Sequence, residues 1–216
     1  MHGSMKIQKQ KWHKDYNFIY DIEPLIFNYP HGVFTGSFSE GITTYQLSFE
    51  DVCTFLGHVC LCGAGGYKIV QHAINQLSDS EVLERDQFML QSSHDHTISD
   101  VAAFILGCPR RNDPKKNRYS IKPESTLERR VYRYKIGYEP SHKAVEILYH
   151  KHLIIGNDKM DELWKIEKAL DTQPESVSEN NKITYRNAMI KMVRNVLFDK
   201  VQGLFEIKEI AYNTLK

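Results

Sequence analysis

The sequence predicts an α+β protein, because segments of helical periodicity come first and a group of alternating strands follows them. Apolar residues recur at helical spacing over Ile69, Val70, Ala73, Ile74 and Leu77, and again over Ile98, Val101, Ala102, Ile105 and Leu106. Residues 131–138 alternate instead, with Tyr132, Tyr134, Ile136 and Tyr138 on one face and Arg133 and Lys135 on the other. Glycines at 57 and 107 follow the last periodic residues of two helices, where a left-handed residue ends a helix at least cost.

Taken in order, residues 12–47 are rich in Tyr, Phe, Gly and Pro and show no period, so they read as an irregular leader. Ser48 with Asp51 three residues on forms a near capping box, starting a helix through Val52, Phe55 and Leu56 to Gly57. The His/Cys/Gly turn follows, and then the 69–77 helix. Phe88 and Leu90 suggest a short strand, closed by Ser92–His96 before the third helix. Cys108 comes directly after Gly107, and Pro109 prevents continuation. Residues 110–118 read as a charged loop, and 119–122, 131–138 and 144–149 as strands. Met160, Leu163 and Trp164 mark a helix to about Leu170, and 172–180 is the best linker. Ala188, Met189, Met192, Val193, Val196 and Leu197 give an amphipathic helix, and Phe205, Ile207 and Ile210 a closing arm or strand. The expected organisation is a leader over 1–44, an α+β domain over 45–171, and a linker with helix and arm over 172–216. Residues 1–4 look like an expression remnant before a native Met5.

Length and charge bound the function. The 216 residues are enough to build a proper core. A net charge of +1, from 28 basic and 27 acidic residues, implies no strong field for nucleic acid or membrane. No apolar run is long enough for a membrane span. Four cysteines spaced unevenly at 53, 60, 62 and 108 do not resemble a secreted disulfide framework, so a reducing, cytoplasmic setting is expected.

The chemistry concentrates in residues 56–67, Leu-Gly-His-Val-Cys-Leu-Cys-Gly-Ala-Gly-Gly-Tyr. Imidazole and thiolate are the ligands that borderline and soft metals prefer, and glycines let backbone approach a bound group closely. Cys108 is a fourth soft group in a second small-residue turn. On an extended strand Cys60 and Cys62 would point to opposite sides, so joint ligation requires the backbone to turn between them. Single cysteines are also commonly buried as small hydrophobes. Cys60 is expected to be the most reactive thiol, its pKa lowered by a metal or by the following helix N-terminus. His94 and His96 are reserve ligands; otherwise they read as a solvated cap. Asp100 reads as a cap or as a group orienting a ligand by hydrogen bonding. Arg110, Arg111, Lys115 and Lys116 read as a solvated loop. Deaminase, Walker and dinucleotide signatures are absent.

The 56–67 stretch and the following helix resemble the opening His-Gly-His-x-Cys-Pro-Gly…Gly-Tyr signature of the FmdE-like family, named for a component of formylmethanofuran dehydrogenase. Asp100-Val-Ala-Ala-Phe-Ile-Leu-Gly-Cys108-Pro is similar to its second signature, Asp-Ala-Ile-Gln-x-Leu-Thr-Gly-Cys-Thr. The likeness covers roughly residues 45–150 and matches Gly57, His58, Cys60, Gly66, Tyr67, Asp100, Gly107 and Cys108. It implies an α+β core with a mixed sheet, a homodimer, and a transition metal, zinc first, held by His58, Cys60 and Cys108. Iron or haem is the alternative. Cys62, Gly63, Tyr67 and Asp100 would line the same cofactor site. Leu56 stands where the family has its first histidine, Leu61-Cys62 where it has Pro-Gly, and Pro109-Arg-Arg-Asn-Asp where it has Thr-x-Gly-Lys-Gly. These departures put a shared substrate in doubt, and the extra Cys62 bears on the metal or its redox behaviour. Two classes are expected: a metal-dependent or redox enzyme acting on a small molecule, or a non-catalytic metal or cofactor carrier. The 183–197 helix is the expected dimer contact, the alternative being a fold back onto its own sheet.

Overall fold

The computed structural model describes residues 12–215 apart from 40, 79, 81 and 109–116. Residues 1–11, with the expression remnant, therefore lie outside the described residues, as do Pro109 and the Arg110, Arg111, Lys115 and Lys116 clusters.

The segment expected to be irregular is partly ordered. It contains strands β1 (Leu25–Asn28) and β2 (Thr44–Leu47) and a short helix α1 (His31–Phe34). β1 is the centre of a three-stranded sheet, antiparallel to β2 and parallel to β3 (Leu83–Glu84). Four-residue strands carry too few alternations to be seen in sequence, and their pairing is what defines them. Helix α2 (Phe49–Leu56) begins and ends as its sequence dictates. Asp51 N–H donates to Ser48 Oγ, Ser48 N–H donates to Asp51 Oδ2, and Gly57 closes the helix at φ 77°.

Helix α3 (Leu61–Leu77) starts earlier than the glycine run suggests, so Cys62, Gly63, Gly65 and Gly66 are helical. The glycines serve packing. A Cβ on Gly65 would lie 2.8 Å from the Tyr149 ring, and one on Gly66 would lie 2.7 Å from Val101 and 2.9 Å from the Ile98 carbonyl oxygen. Helix α4 (Thr97–Leu106) ends at Gly107, φ 61°, with Ile98, Val101, Ala102, Ile105 and Leu106 all buried.

The main sheet has the order β5-β4-β6-β7-β8, built from β4 (Phe88–Ser92), β5 (Tyr119–Ile121), β6 (Val131–Tyr138), β7 (Lys143–His150) and β8 (Phe205–Ala211). β4 and β5 are parallel and the remaining neighbours antiparallel, so the sheet is mixed. The closing arm is thus a full strand along β7. Between β7 and β8 run α5 (Asn157–Thr172) and α6 (Glu179–Leu197), and α6 is capped by Ser178. α3 is the central helix, packed on β6, β7 and β8 and against α2, α4 and α6. The apolar stripe of α6 folds inward: Met192, Val193, Val196 and Leu197 are buried in the core, with Ala188 and Met189 packed against it. Among the described residues no helix is long and apolar enough to cross a membrane.

Gly66→Ala tests the close approach of α3 and α4. Helix propensity alone would stabilise the protein by about 1 kcal/mol. The Ile98 carbonyl is backbone and cannot swing aside, so overpacking is expected to dominate and destabilise by about 1–3 kcal/mol. A urea midpoint equal to or above wild type would show that the two helices are not in register-limiting contact.

Candidate functional site

The backbone turn that joint use of Cys60 and Cys62 requires is present. Cys60 is extended (φ −145°, ψ 167°) and occupies the N-cap of α3, its Sγ accepting the Gly63 N–H at 3.3 Å. Cys62, two residues on, is already in the helix, and both thiols line one cavity. A cysteine therefore does the work that serine or aspartate does at other caps.

The surroundings of the two thiols differ. The neighbouring Cys60 thiol lowers the Cys62 pKa, burial and the Glu167 charge oppose this, and Lys151 Nζ, 3.9 Å from Cys62 Sγ, adds to the lowering. For Cys60 the neighbouring Cys62 thiol and burial both raise the pKa. The expected activated thiol is Cys60, but the lysine stands beside Cys62, so the geometry favours Cys62 as the thiolate of the pair. The helix N-terminus favours the same anion. Lys151 reaches it from the turn directly after β7, a placement no local sequence signal announces.

The pair opens into a cavity of 120 Å³ between α3, α5 and α6. Trp164, Glu167 and Tyr185 form part of its wall, Met160, Met189 and Met192 another, and Arg130 and Lys151 also line it. Glu167 accepts from Tyr185 Oη at 2.8 Å, and Arg130 donates to Asn157 Oδ1 at 2.8 Å and to Asp161. Behind α3, Tyr149 is fully buried, stacked on Phe205 with centroids 5.0 Å apart, and its hydroxyl has no hydrogen-bond partner. Burial pushes its pKa well up, and charge on Cys62 pushes it further.

The other sequence candidates lie elsewhere. His58 is exposed, with Nδ1 3.0 Å from the Leu56 carbonyl oxygen, though its charge still reaches Cys62. Cys108 is fully buried and donates to the Phe88 carbonyl at 3.2 Å, and burial pushes its thiol up to about 12. It borders a different cleft, of 690 Å³, with Phe55, Arg85 and Asp100. Tyr67 donates its hydroxyl to the Glu23 carbonyl at 2.6 Å and so ties α3 to the segment before β1. Gly63 acts through its N–H to Cys60. His94 and His96 flank the Tyr132 ring at 5.0 and 5.5 Å, and His96 Nδ1 accepts the Ile98 N–H, capping α4.

Among the described residues no group of three or more His, Cys, Asp or Glu side chains is placed to hold a metal ion. The set His58, Cys60 and Cys108 does not fit the metal that the resemblance implies. Cys60 and Cys108 line different cavities, the Cys108 thiol is spent on a backbone carbonyl, and the glycines between them are filled by packing. Tight helix packing, which sequence spacing does not show, is what separates them.

His96 supplies a pH test. Burial, then the Lys151 charge, pushes its pKa down to about 4. Only the neutral ring can accept from Ile98 N–H. With the folded value below the ordinary histidine value near 6.5, stability is expected to fall as pH drops from about 6.5 toward 4. An imidazole titration by NMR that places His96 near 6.5 would contradict the buried, cap-bound ring.

A scan against protein-family models finds no match to this chain, and a search of curated proteins finds none.

Proposed function

We propose that this chain is a thiol redox protein acting on a small disulfide through Cys62 and Cys60. The observation that carries the reading is a pair of thiols lining one cavity at the start of α3, with Lys151 Nζ 3.9 Å from Cys62 Sγ. The Cys62 thiolate attacks one substrate sulfur; the substrate S–S bond breaks and its other sulfur leaves as a thiolate. Cys60 then loses its proton to that thiolate and attacks Cys62. The mixed disulfide breaks, the second substrate thiolate leaves, and a Cys60–Cys62 disulfide remains. The substrate gains two electrons and the pair loses two, and a small thiol reductant resets it. The 120 Å³ cavity admits only the reacting end of such a molecule.

Membership of the FmdE-like family belongs to the same proposal, supported by the signature residues and by an α+β chain with a mixed sheet. So does a reducing, cytoplasmic setting, supported by four free cysteines. A homodimer is also part of it. The stripe of α6 is covered by its own chain, so the support shifts to exposed Trp164 on α5 and Ile183 on α6.

Alkylation rate against pH tests the redox reading. Cys62 is expected to react with a midpoint well below the ordinary thiol value near 8.5, and Lys151→Met to move that midpoint upward. Cys53 and Cys108, both pushed by burial up to about 12, should stay unreactive in the folded protein. A Cys62 that titrates no lower than a free thiol, or a pair that oxidised dithiothreitol cannot close, would refute the exchange mechanism.

A further inference from the structure

The cavity that holds the thiol pair is lined by sulfur from three separate elements. Beside Cys60 and Cys62 stand Met160 near the start of α5 and Met189 and Met192 on α6. The described residues contain four methionines, and the remaining one, Met89, lies on β4. Met189 and Met192 are three residues apart and so share a helix face. Five sulfurs therefore converge on 120 Å³, a space smaller than the roughly 300 Å³ at which small-molecule pockets begin.

We propose that this cavity is a binding site for a soft monovalent cation, Cu(I) in class, held by Cys60 and Cys62 with a methionine thioether as third donor. Ligand chemistry selects the ion. Two cysteines two residues apart at the start of one helix, both lining the same cavity, can share one ion at about 2.3 Å from each sulfur. A zinc-like ion would then need further nitrogen, thiolate or carboxylate ligands, and among the described residues no group of three such side chains is placed to supply them. Glu167, the carboxylate in the wall, accepts from Tyr185. The donors left over are thioethers, which soft ions accept. Two thiolates and one monovalent cation leave a net negative charge, and Lys151, whose Nζ lies 3.9 Å from Cys62 Sγ, offsets it.

The cation site uses the same two thiols as the redox reading without resting on their exchange chemistry. A bound cation would occupy both sulfurs and silence exchange, so loading and disulfide formation exclude each other.

The experiment titrates Cu(I) into the reduced full-length protein under anaerobic conditions, against a chromophoric Cu(I) chelator, with Zn²⁺ in parallel. One equivalent of Cu(I) is expected, held in preference to Zn²⁺. Met160→Leu, Met189→Leu and Met192→Leu together conserve volume and leave the thiols in place. They are expected to lower Cu(I) affinity about tenfold or more while Cys62 alkylation stays as in wild type. The methionines are packing alone, and the site is overturned, if the triple variant keeps wild-type affinity. X-ray absorption of the loaded wild-type protein gives a readout that does not depend on a variant folding. Three sulfur neighbours at about 2.3 Å are expected, and two neighbours, or preferential binding of Zn²⁺, overturn the site. Failure of alkylation at Cys62 would instead strike the redox reading, so the two are separable.

Discussion

The close approach of α3 to β7 and to α4 is the constraint from which the rest of the architecture follows. Gly65 leaves the space that the Tyr149 ring occupies, and Gly66 leaves the space taken by Val101 and the Ile98 carbonyl. With side chains at those two positions the central helix would stand off from both neighbours, and a core packed to ordinary density could not close around it. Its first turn is therefore fixed against the sheet, and the two cysteines at its N-terminus are fixed with it. Tyr67, one residue further, ties the same helix to the Glu23 carbonyl ahead of the smaller sheet. One helix thus joins both sheets and presents the thiols.

The chemistry of the pair comes from asymmetry imposed by that position. Cys60 is outside the helix and caps it; Cys62 is inside and faces Lys151. Two identical side chains so end in different surroundings, one bound to a backbone N–H and one beside an ammonium group. The same cavity is closed by α5 and α6, which the chain inserts between β7 and β8. Those helices bring the thioethers and the aromatic wall. A site that reads in the sequence as three ligands in two loops is in the molecule a thiol pair beneath a sulfur-rich lid, with Cys108 turned to another cleft.

The features legible along the chain are local ones. The capping box at Ser48 and Asp51, the left-handed stops at Gly57 and Gly107, the periodicity of α3 and α4, and the alternation of β6 and β7 all depend on contacts within one or two turns or on one face of a strand. The place of Cys60 beside the N-terminus of α3 was legible for the same reason. Contacts between residues far apart along the chain had no such signal. Lys151 meets Cys62 across 89 residues, Tyr149 fills the space at Gly65, and β8 returns to pair with β7. The glycines could equally have made a binding loop or a packing surface, and the methionines of α6 a dimer face or an inner wall. Each choice was settled by which partner surface came close enough to bury them, and no local pattern encodes that partner.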